Sequence, residues 1–434
     1  MKDTKAILAK LGIRDLNAMQ REATKAIRTQ DEVILLSPTG TGKTLAFLLP
    51  IIEQLRSDLK AVQAVVVVPS RELAAQIEQV ARGMGSGHRI LTVYGGHSGS
   101  RQRDDLKTPP ALLIGTPGRL ADHLRREAFS VRHVTTLVLD EFDKSLETGF
   151  EKEMKQLVRD FPHLEKKILT SATQAVEVPD FLALRDPITI NYLGGRSNRL
   201  RLVEVIAGDK DKLAALEQVL ALTGSGRGII FCNFKDTVRF VSDFLTNRQI
   251  DHGIFMGGLE QTERERSLIR FRNGTHRLLL ATDLAARGID VPELDFIVHY
   301  QLPPREDEFT HRNGRTARMH ANGTAYVLRW SEAPRHDYLP EMEELSAAPN
   351  PEASVQNSKW TTLYVSAGRK DKVSKGDLAG LFFKQGGLAK GELGVIELLA
   401  DCAFVSVPRK KADGLIALLD NGRVKKRKVR VKRG

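Results

Sequence analysis

Short runs of β-branched and aliphatic residues recur at helix-length intervals through the first part of the chain. They occupy residues 32–37, 64–70, 89–95, 111–117, 136–141 and 166–173. Strands that are apolar along their whole length are typical of a parallel sheet covered by helices on both faces. After a break of glycine and polar residues at 191–201, the same spacing returns at 227–233, 276–283, 294–301 and 323–330. The pattern therefore predicts two α/β domains, at residues 1–195 and 200–345.

A third region differs from these two in both pattern and charge. Residues 346–360 are polar and contain prolines, as a linker does, and residues 361–434 alternate strand-like and helix-like segments in the order βαββαβ. The formal net charge of the chain is +12, and residues 361–434 hold 17 Lys and Arg against 7 Asp and Glu, a net charge of +10. We therefore predict a small basic α+β domain with an anionic partner at this end of the chain.

The two cysteines, Cys232 and Cys402, each lie among apolar residues with no second thiol nearby. This spacing favours neither a disulfide framework nor a zinc site, and it fits a reducing compartment. No apolar run approaches the roughly 18 to 20 residues that a membrane span needs, and the first residues do not resemble a signal peptide. We therefore expect a cytoplasmic protein without a membrane segment.

A glycine-rich stretch, SPTGTGKT at residues 37–44, follows a predicted strand and precedes an apolar helix. In this position glycines let backbone N–H groups surround phosphate oxygens, the lysine reaches the terminal phosphates, and the last hydroxyl binds Mg²⁺. Ser37 stands where the general pattern has glycine, and an ordinary turn is the structural alternative. We predict a nucleotide phosphate site formed by Thr39, Gly40, Thr41, Gly42, Lys43 and Thr44.

Three carboxylates, Asp140, Glu141 and Asp143, follow another predicted strand within four residues. Like charges at the edge of a core cost free energy unless cations or donors compensate them. A solvated acidic turn at the start of a helix is the alternative. Because parallel strands end at one edge of a sheet, we predict that Asp140 and Thr44 hold Mg²⁺ and that Glu141 polarises the attacking water.

Further motifs appear in a fixed order along the chain. They are PSREL (69–73), Gly95-Gly96, TPGR (116–119), SAT (171–173), QTER (261–264), ATDLAARGID (281–290) and HRNGRTAR (311–318). With the phosphate loop and the acidic box, this series resembles the DEAD-box RNA helicases of superfamily 2 over nearly all of residues 11–330. Residues 361–434 resemble, more loosely, the small RNA-binding domain of DbpA-type bacterial members, notably at 368–380.

The resemblance implies two tandem RecA-like domains, an RRM-like third domain, and ATP and Mg²⁺ as cofactors. It implies that Gln20 reads adenine, that Asp290 contacts the ribose, and that Asp143, with Ser171 and Thr173, couples the nucleotide state to RNA. Arg315 and Arg318 resemble arginine fingers, which place planar cations against developing phosphate charge. The alternative is that Arg312, Arg315 and Arg318 line one surface of a helix.

Two positions depart from the family pattern. Phe142 stands where the acidic box has alanine, which fits if its ring points into the core. Asp3 stands where the family often has an aromatic residue that stacks on adenine. Adenine recognition is therefore expected to be weaker or differently built, with Gln20 still discriminating against guanine.

The resemblance also places one RNA strand along the two lobes by its sugar-phosphate backbone. Small residues and backbone amides suit this task because they approach phosphates closely without reading bases. In the third domain, Val429 and Val431 alternate with basic residues, which predicts a final strand with one basic face; a flexible basic arm is the alternative. The predicted RNA contacts are Pro69, Arg71, Gly95, Gly96, Thr116, Pro117, Arg119, Arg264, Thr282, Lys370, Lys372, Arg430 and Lys432.

The function that follows from the resemblance is ATP-dependent RNA unwinding, with the third domain binding structured RNA such as ribosomal RNA. Two alternatives stay open at this point. One is an RNA-dependent ATPase that clamps RNA–protein complexes without unwinding, and the other is a non-catalytic RNA-binding scaffold or chaperone. We expect a monomer, since the two lobes of one chain would close on each other.

Overall fold

The computed structural model describes residues 4–96, 98–147, 149–173, 178–193, 200–283, 294–316, 322–345, 355–425 and 427–434. The chain divides into two compact units. The first contains the amino-terminal α/β domain, which we call lobe one. The second contains the other α/β domain, lobe two, together with the carboxy-terminal domain.

Lobe one is built on a parallel sheet of seven described strands in the order β3-β4-β2-β5-β6-β1-β7. The strands are β1 (Glu32–Leu36), β2 (Ala64–Val67), β3 (Ile90–Val93), β4 (Leu112–Gly115), β5 (Thr136–Leu139), β6 (Lys166–Ser171) and β7 (Ile188–Asn191). The helices are α1 (Thr4–Lys10), α2 (Ala18–Thr29), α3 (Lys43–Gln54), α4 (Arg71–Gly83), α5 (Gly99–Leu106), α6 (Pro117–Arg125), α7 (Phe142–Glu147) and α8 (Glu151–Asp160), with a 3-10 helix at Asp180–Leu182.

Both faces of this sheet are buried, as the apolar runs predict. Consecutive residues of β2 enter different cores: Val66 packs in one cluster with Phe47 of α3, and Val65 packs in the other with Leu120 of α6. All four residues of β2, and likewise of β4 and β5, are buried. A strand buried on both faces has no polar alternation, which is why sequence alone could place it.

Lobe two has a second parallel sheet, of seven described strands in the order β10-β11-β9-β12-β13-β8-β14. Its strands are β8 (Leu200–Ala207), β9 (Gly228–Cys232), β10 (His252–Phe255), β11 (Leu278–Thr282), β12 (Phe296–His299), β13 (Gly323–Trp330) and β14 (Glu343–Leu345). The helices in the described residues of lobe two are α9 (Leu213–Leu222), α10 (Lys235–Asn247), α11 (Gln261–Arg272) and α12 (Glu306–Asn313).

In the described parts of the two lobes, four strands were not predicted, namely β7, β8, β10 and β14, and all of them lie at or next to an edge of a sheet. Their sequences mix polar and apolar residues because one side is less covered. In β8, for example, Glu204 is buried only because Arg329 of the neighbouring strand donates to its carboxylate at 2.8 Å. A search for continuous apolar runs cannot find a strand that contains such a pair.

The carboxy-terminal domain confirms the predicted βαββαβ order, with a short hairpin added before the last strand. Its antiparallel sheet has the order β16-β17-β15-β20. The strands are β15 (Trp360–Val365), β16 (Ile396–Leu398), β17 (Ala403–Pro408) and the hairpin pair β18 (Arg423–Val424) and β19 (Arg427–Lys428), followed by β20 (Val431–Arg433). The helices are α13 (Lys375–Gly380), continued by a π-helix at Leu381–Gln385, and α14 (Ala412–Leu419), with 3-10 helices at Arg369–Asp371 and Arg409–Lys411.

The outer face of this small sheet packs against lobe two. Thr362 of β15 hydrogen-bonds Thr275 between their hydroxyls at 2.7 Å, and Ser406 of β17 donates to the carbonyl of Asn273 at 2.7 Å. Arg272, the last residue of α11, forms an ion pair with Glu397 of β16 at 3.0 Å. The central strands of the sheet therefore lie against the turn that follows α11.

The described end of the predicted linker also contacts lobe two. The Asn357 side chain accepts from the N–H of Asp251 and donates to the carbonyl of Gln249, both at 2.8 Å. Ser358 donates to the carbonyl of Gly274. Residues 355–359 are thus held in place by three side-chain-to-backbone hydrogen bonds.

Among the described helices, none has the length and apolar character that a bilayer span requires.

Candidate active site

The phosphate loop, the acidic box and the SAT segment meet at one edge of lobe one. They follow or end β1, β5 and β6, which are neighbours in the order β5-β6-β1. The register pairs Leu36 with Ser171 and Leu139 with Leu169, so the three strands end within two residues of one another. This arrangement is the one that the sequence predicts, and it places the ligand side of the sheet at the carboxyl ends of its strands.

The phosphate loop folds around a buried lysine. Lys43, the first residue of α3, donates from its Nζ to the carbonyls of Ser37 and, at 3.2 Å, Pro38. Gly40 and Gly42 have φ angles of +81° and +88°, which a residue with a Cβ rarely adopts. The loop conformation therefore depends on glycine at these positions, and it brings an ammonium group to the amino end of α3, where anions bind favourably.

Gln20 and Asn17 fix the start of α2 and reach the phosphate loop together. They form a capping box, in which the Gln20 N–H donates to Asn17 Oδ1 at 2.8 Å and the Asn17 N–H donates to Gln20 Oε1 at 3.0 Å. Their amide nitrogens then donate to the loop carbonyls, Gln20 to Gly42 at 3.2 Å and Asn17 to Thr41 at 3.0 Å. Asn17 was not predicted as a site residue, although the capping-box spacing could have indicated it.

Thr170 of β6 links the first two carboxylate residues of the acidic box. Its hydroxyl donates to Asp140 Oδ1 and accepts from the backbone N–H of Glu141 at 3.3 Å. Glu141 has a φ angle of +51°, a left-handed conformation that is uncommon for this residue type. The turn between β5 and α7 is therefore held in a strained shape by a neighbouring strand, and Thr170 was missed because it precedes the SAT motif.

Two carboxylates of the acidic box, Asp140 and Asp143, are buried. Burial raises the pKa of Asp140, an effect that the Thr170 hydrogen bond and the Lys43 charge oppose. Burial also raises the pKa of Asp143, against the charge of Lys144, and Asp143 Oδ1 has no hydrogen-bond partner among the described residues. Buried carboxylate oxygens, one of them on Asp143 without a donor, fit a Mg²⁺ ion bound nearby, whose oxygen ligands from the chain would be Asp140 and Thr44.

Phe142 and the SAT segment complete this side of lobe one. Phe142 is buried in the core, which confirms that a large residue is accommodated in the acidic box without facing the site. Thr173 donates to Asp143 Oδ2 at 3.0 Å, and the Ser171 hydroxyl donates to the Thr173 carbonyl at 2.7 Å. The structure thus brings together the three residues to which the resemblance assigns coupling.

The predicted RNA contacts of lobe one occupy a neighbouring part of the same edge. They follow β2, β3 and β4, which are adjacent in the order β3-β4-β2. The loops touch, since a Cβ at Gly95 would lie 3.0 Å from the Arg71 guanidinium and one at Gly99 would lie 2.8 Å from that of Arg119. The residues concerned are Pro69, Arg71, Gly95, Gly96, Thr116, Pro117 and Arg119.

A buried pair behind this surface was not predicted. Gln102 donates to the carbonyl of Tyr94, next to Gly95, at 2.9 Å, so its Oε1 accepts from His123 Nε2 at 3.1 Å. Burial lowers the pKa of His123, and the charge of Arg119 acts in the same direction. The neutral ring therefore supports the loop that carries the two glycines.

In lobe two, Arg264 lies in the first turn of α11 and Thr282 ends β11, so both are near the carboxyl edge of the sheet. The Arg264 guanidinium lies 5.1 Å from the ring centre of Phe255. Arg315 is buried and follows α12. Asp290 and Arg318 lie outside the described residues.

Arg312 has a different role from the one that its spacing with Arg315 suggests. Its buried guanidinium donates to Asp283 at 2.6 Å through Nε, to the carbonyl of Gln301 at 2.6 Å and to Asn233 Oδ1 at 2.8 Å. It also lies over the ring of Phe231 at 5.2 Å. Arg312 therefore ties the ends of three strands of lobe two together, and it acts as a structural residue.

Three of the four predicted basic residues of the third domain have an acidic or aromatic neighbour in the structure. Lys370 pairs with Asp401 at 3.0 Å, and Arg430 donates to Asp420 at 2.8 Å. The Lys432 ammonium lies 5.3 Å from the ring centre of Tyr364, and the Lys372 carbonyl accepts from Lys425 at 2.7 Å. Val429 and Val431 are buried, so the basic residues between and beside them alternate with core residues as predicted.

Comparison with known proteins assigns all three parts of the chain. Residues 17–181 match the DEAD/DEAH box helicase family, 211–320 the helicase conserved C-terminal domain, and 362–433 the DbpA RNA-binding domain. The chain is 31% identical to the ATP-dependent RNA helicase DbpA of Escherichia coli, over 98% of this chain and 96% of that protein. It is 26% identical to the Bacillus subtilis protein of the same name, over 97% and 95%.

Solved structures agree with this assignment. The DEAD-box helicase Mss116 bound to single-stranded RNA and UDP-BeF is 25% identical, with a TM-score of 0.70 over 81% of this chain and 79% of that one. Dbp5 of Saccharomyces cerevisiae, bound to RNA and ADP-BeF3, shares the fold at 24% identity and a TM-score of 0.69, over 80% of this chain and 94% of that one. With three family matches in order and a relative similar over nearly its whole length, the chain belongs to the DEAD-box ATP-dependent RNA helicases, among their DbpA-like members.

Proposed function

We propose that this chain hydrolyses ATP with Mg²⁺ and uses the cycle to hold one RNA strand and separate short duplexes. The observation that supports this most directly is that the nucleotide residues and the predicted RNA loops of lobe one occupy adjoining halves of one sheet edge. Lys43, Asp140 and Glu141 lie around the ends of β5, β6 and β1, and the predicted RNA loops follow β3, β4 and β2. Asp143, Ser171 and Thr173 belong to the nucleotide half and form one hydrogen-bonded group.

Each residue of the nucleotide half has a definite task in this proposal. Backbone N–H groups of residues 39–44 and the Lys43 ammonium bind the phosphates, and Gln20 binds adenine. Glu141 accepts a proton from the attacking water. Asp140 and Thr44 would hold Mg²⁺, which when bound supplies positive charge to the phosphates. Arg315 and Arg318 stabilise negative charge on the transferred phosphoryl group, and Asp290 binds the ribose.

RNA is held in this proposal mainly by its backbone. The lobe-one loops offer small residues, helix amino termini and two arginines, which suit phosphates and carry no sequence information. Arg264 and Thr282 continue the contact on lobe two. Sequence preference must then come from another part of the chain.

We assign that preference to the third domain. Its sheet face packs on lobe two through Thr362 and Ser406, which favours RNA recognition by loops over stacking on the sheet. Candidate loops contain Lys370 and Lys372 and the β18–β19 hairpin. The net charge of +10 in residues 361–434 favours a structured RNA with closely spaced phosphates, such as ribosomal RNA during ribosome assembly in the cytoplasm. One chain suffices for this cycle, so we propose a monomer.

Phosphate release stimulated by RNA tests the proposal directly. The wild-type protein is expected to hydrolyse ATP faster when RNA is added, and Lys43→Ala is expected to weaken ATP binding by at least about tenfold, because a charge-assisted contact to phosphate is lost. The control is Lys60→Ala, an exposed surface lysine.

Three outcomes separate the possible functions. Absence of hydrolysis with intact RNA binding would favour the non-catalytic scaffold. Hydrolysis without separation of a short duplex would favour the remodelling ATPase. Unchanged ATP affinity in Lys43→Ala would contradict the phosphate-loop assignment itself.

Truncation after Ala348 tests the role of the third domain. The remaining two lobes are expected to stay folded and to hydrolyse ATP at saturating unstructured RNA, because every proposed catalytic residue precedes Met319. Affinity for structured RNA is expected to fall, and the slope of log affinity against log salt to flatten, since fewer phosphates are neutralised. Binding measured across a salt series checks both. Full-length affinity and slope in the truncated protein would contradict the tethering role.

A further inference from the structure

Lobe two carries an aromatic side chain in an unusual position. Phe234 directly precedes α10 and is 65% exposed, whereas Val238, Val241 and Leu245 of the same helix are fully buried. Exposing a phenyl ring forgoes the stabilisation that its burial would give. Single exposed apolar residues are common, so exposure becomes informative only through the place where the ring lies.

That place is the carboxyl edge of the sheet, beside the predicted RNA contacts of lobe two. Phe234 follows β9, and Cys232 at the end of β9 pairs in register with Thr282 at the end of β11. Strand β10, which leads into α11 and Arg264, is the next neighbour of β11. Gly258 lies in the loop between β10 and α11, and a Cβ added there would be 3.3 Å from the Lys235 ammonium. The segment 234–235 therefore adjoins the loop that positions Arg264.

The backbone before Phe234 is held firmly. The Asn233 N–H donates to Gln301 Oε1 at 2.9 Å, its side-chain nitrogen donates to the carbonyl of Leu302 at 2.8 Å, and its Oδ1 accepts from Arg312 at 2.8 Å. A helix of 13 residues follows directly after Phe234. A ring attached to such a fixed point is presented to a ligand with little loss of backbone entropy on binding.

We propose that Phe234 stacks on a base of the RNA strand held by lobe two. The surroundings match this ligand: an exposed ring next to a lysine and a helix amino terminus is a combination that binds both the base and the phosphate of a nucleotide. The inference rests on the proposed RNA contacts of Arg264 and Thr282. Arg264 and Thr282 are proposed to contact the sugar-phosphate backbone, and Phe234 adds a contact with a base.

The test compares Phe234→Ala with Phe234→Trp and with Phe240→Ala in the full-length protein. Phe240 is also exposed and lies further along α10, so it is a matched control for losing a surface phenyl ring. Binding of a fluorescent ten-nucleotide single-stranded RNA is measured with a non-hydrolysable ATP analogue. Phe234→Ala is expected to weaken binding by about 5- to 100-fold, Phe234→Trp to retain it, and Phe240→Ala to leave it unchanged. Thermal unfolding of each variant checks that the fold is intact.

Two further measurements separate stacking from other causes. Because stacking neutralises no phosphate, Phe234→Ala is expected to keep the wild-type salt slope, while Arg264→Ala reduces it by about one. A series of RNAs with one abasic nucleotide is expected to contain a position that weakens the wild type and leaves Phe234→Ala unaffected. If Phe234→Ala binds like Phe240→Ala, or responds to every abasic position as the wild type does, the stacking contact is wrong.

Arg264→Ala also distinguishes failure of the stacking contact from failure of the proposed RNA path along lobe two. Weaker binding in Arg264→Ala with normal binding in Phe234→Ala would reject only the stacking contact. Normal binding in both would reject the RNA path along this edge of lobe two, and with it the part of the proposed function on which the inference rests.

Discussion

Glu141→Gln is expected to lower the rate of RNA-stimulated ATP hydrolysis by about 10²- to 10⁴-fold and to leave ATP and RNA affinity close to wild type. The variant loses the carboxylate that accepts the proton of the attacking water, but it keeps the shape of the side chain. The backbone N–H that Glu141 donates to Thr170 is unaffected, and Lys43 and Asp140 keep their contacts. Single-turnover phosphate release at saturating ATP and RNA measures the chemical step directly.

The control for this substitution is Glu151→Gln in α8, where the same chemical change falls on an exposed residue paired with Lys155. It is expected to hydrolyse ATP at the wild-type rate. Near-normal hydrolysis in Glu141→Gln would remove Glu141 from the role of base. A large loss of ATP affinity would instead place its carboxylate among the groups that bind the ground state.

Much of the architecture could be predicted because its strands are buried on both faces. A run such as residues 64–67 has no polar partner to interrupt it, so length and composition identify it. Four strands at or beside the sheet edges, β7, β8, β10 and β14, could not be found in this way. Glu204 in β8 is stable in its place because Arg329 lies on the adjacent strand, 125 residues away in sequence. This ion pair forms only once the chain is folded, so the local sequence of β8 does not reveal it.

In the site, likewise, residues within a local motif could be predicted, and residues that act through distant contacts could not. Lys43, Asp140 and Glu141 belong to motifs whose spacing carries their chemistry, and the structure brings their segments to one edge. Asn17 and Thr170 act by holding other residues, through hydrogen bonds to Thr41 and Asp140. Nothing in their local sequence marks them as site residues except the capping-box spacing of Asn17. Supporting residues are therefore harder to predict than reacting ones.

Arg315→Ala is expected to reduce RNA-stimulated hydrolysis by about 10³-fold or more while sparing ATP binding measured without RNA. The reason is that a guanidinium against the transferred phosphoryl group acts on charge that develops in the transition state, so its loss raises the barrier more than it weakens ground-state binding. Arg315→Lys keeps the charge but loses the planar fork of donors, and it is expected to recover only part of the rate. Single-turnover hydrolysis and equilibrium ATP binding give the two quantities separately.

Arg312→Ala is the informative comparison, because Arg312 lies in the same motif but is bound on all sides within lobe two. Removing it leaves Asp283 and Asn233 without their buried partner, which costs about 3 to 5 kcal/mol of stability. We therefore expect Arg312→Ala to lower the unfolding temperature and to lose hydrolysis only as far as it unfolds, whereas Arg315→Ala is expected to lose hydrolysis in the protein that remains folded. If the folded fraction of Arg315→Ala hydrolyses ATP at the wild-type rate, or if the variant loses ATP affinity and rate in equal proportion, Arg315 is a structural or ground-state residue. The transition-state role must then rest with Arg318 or with no arginine of this motif.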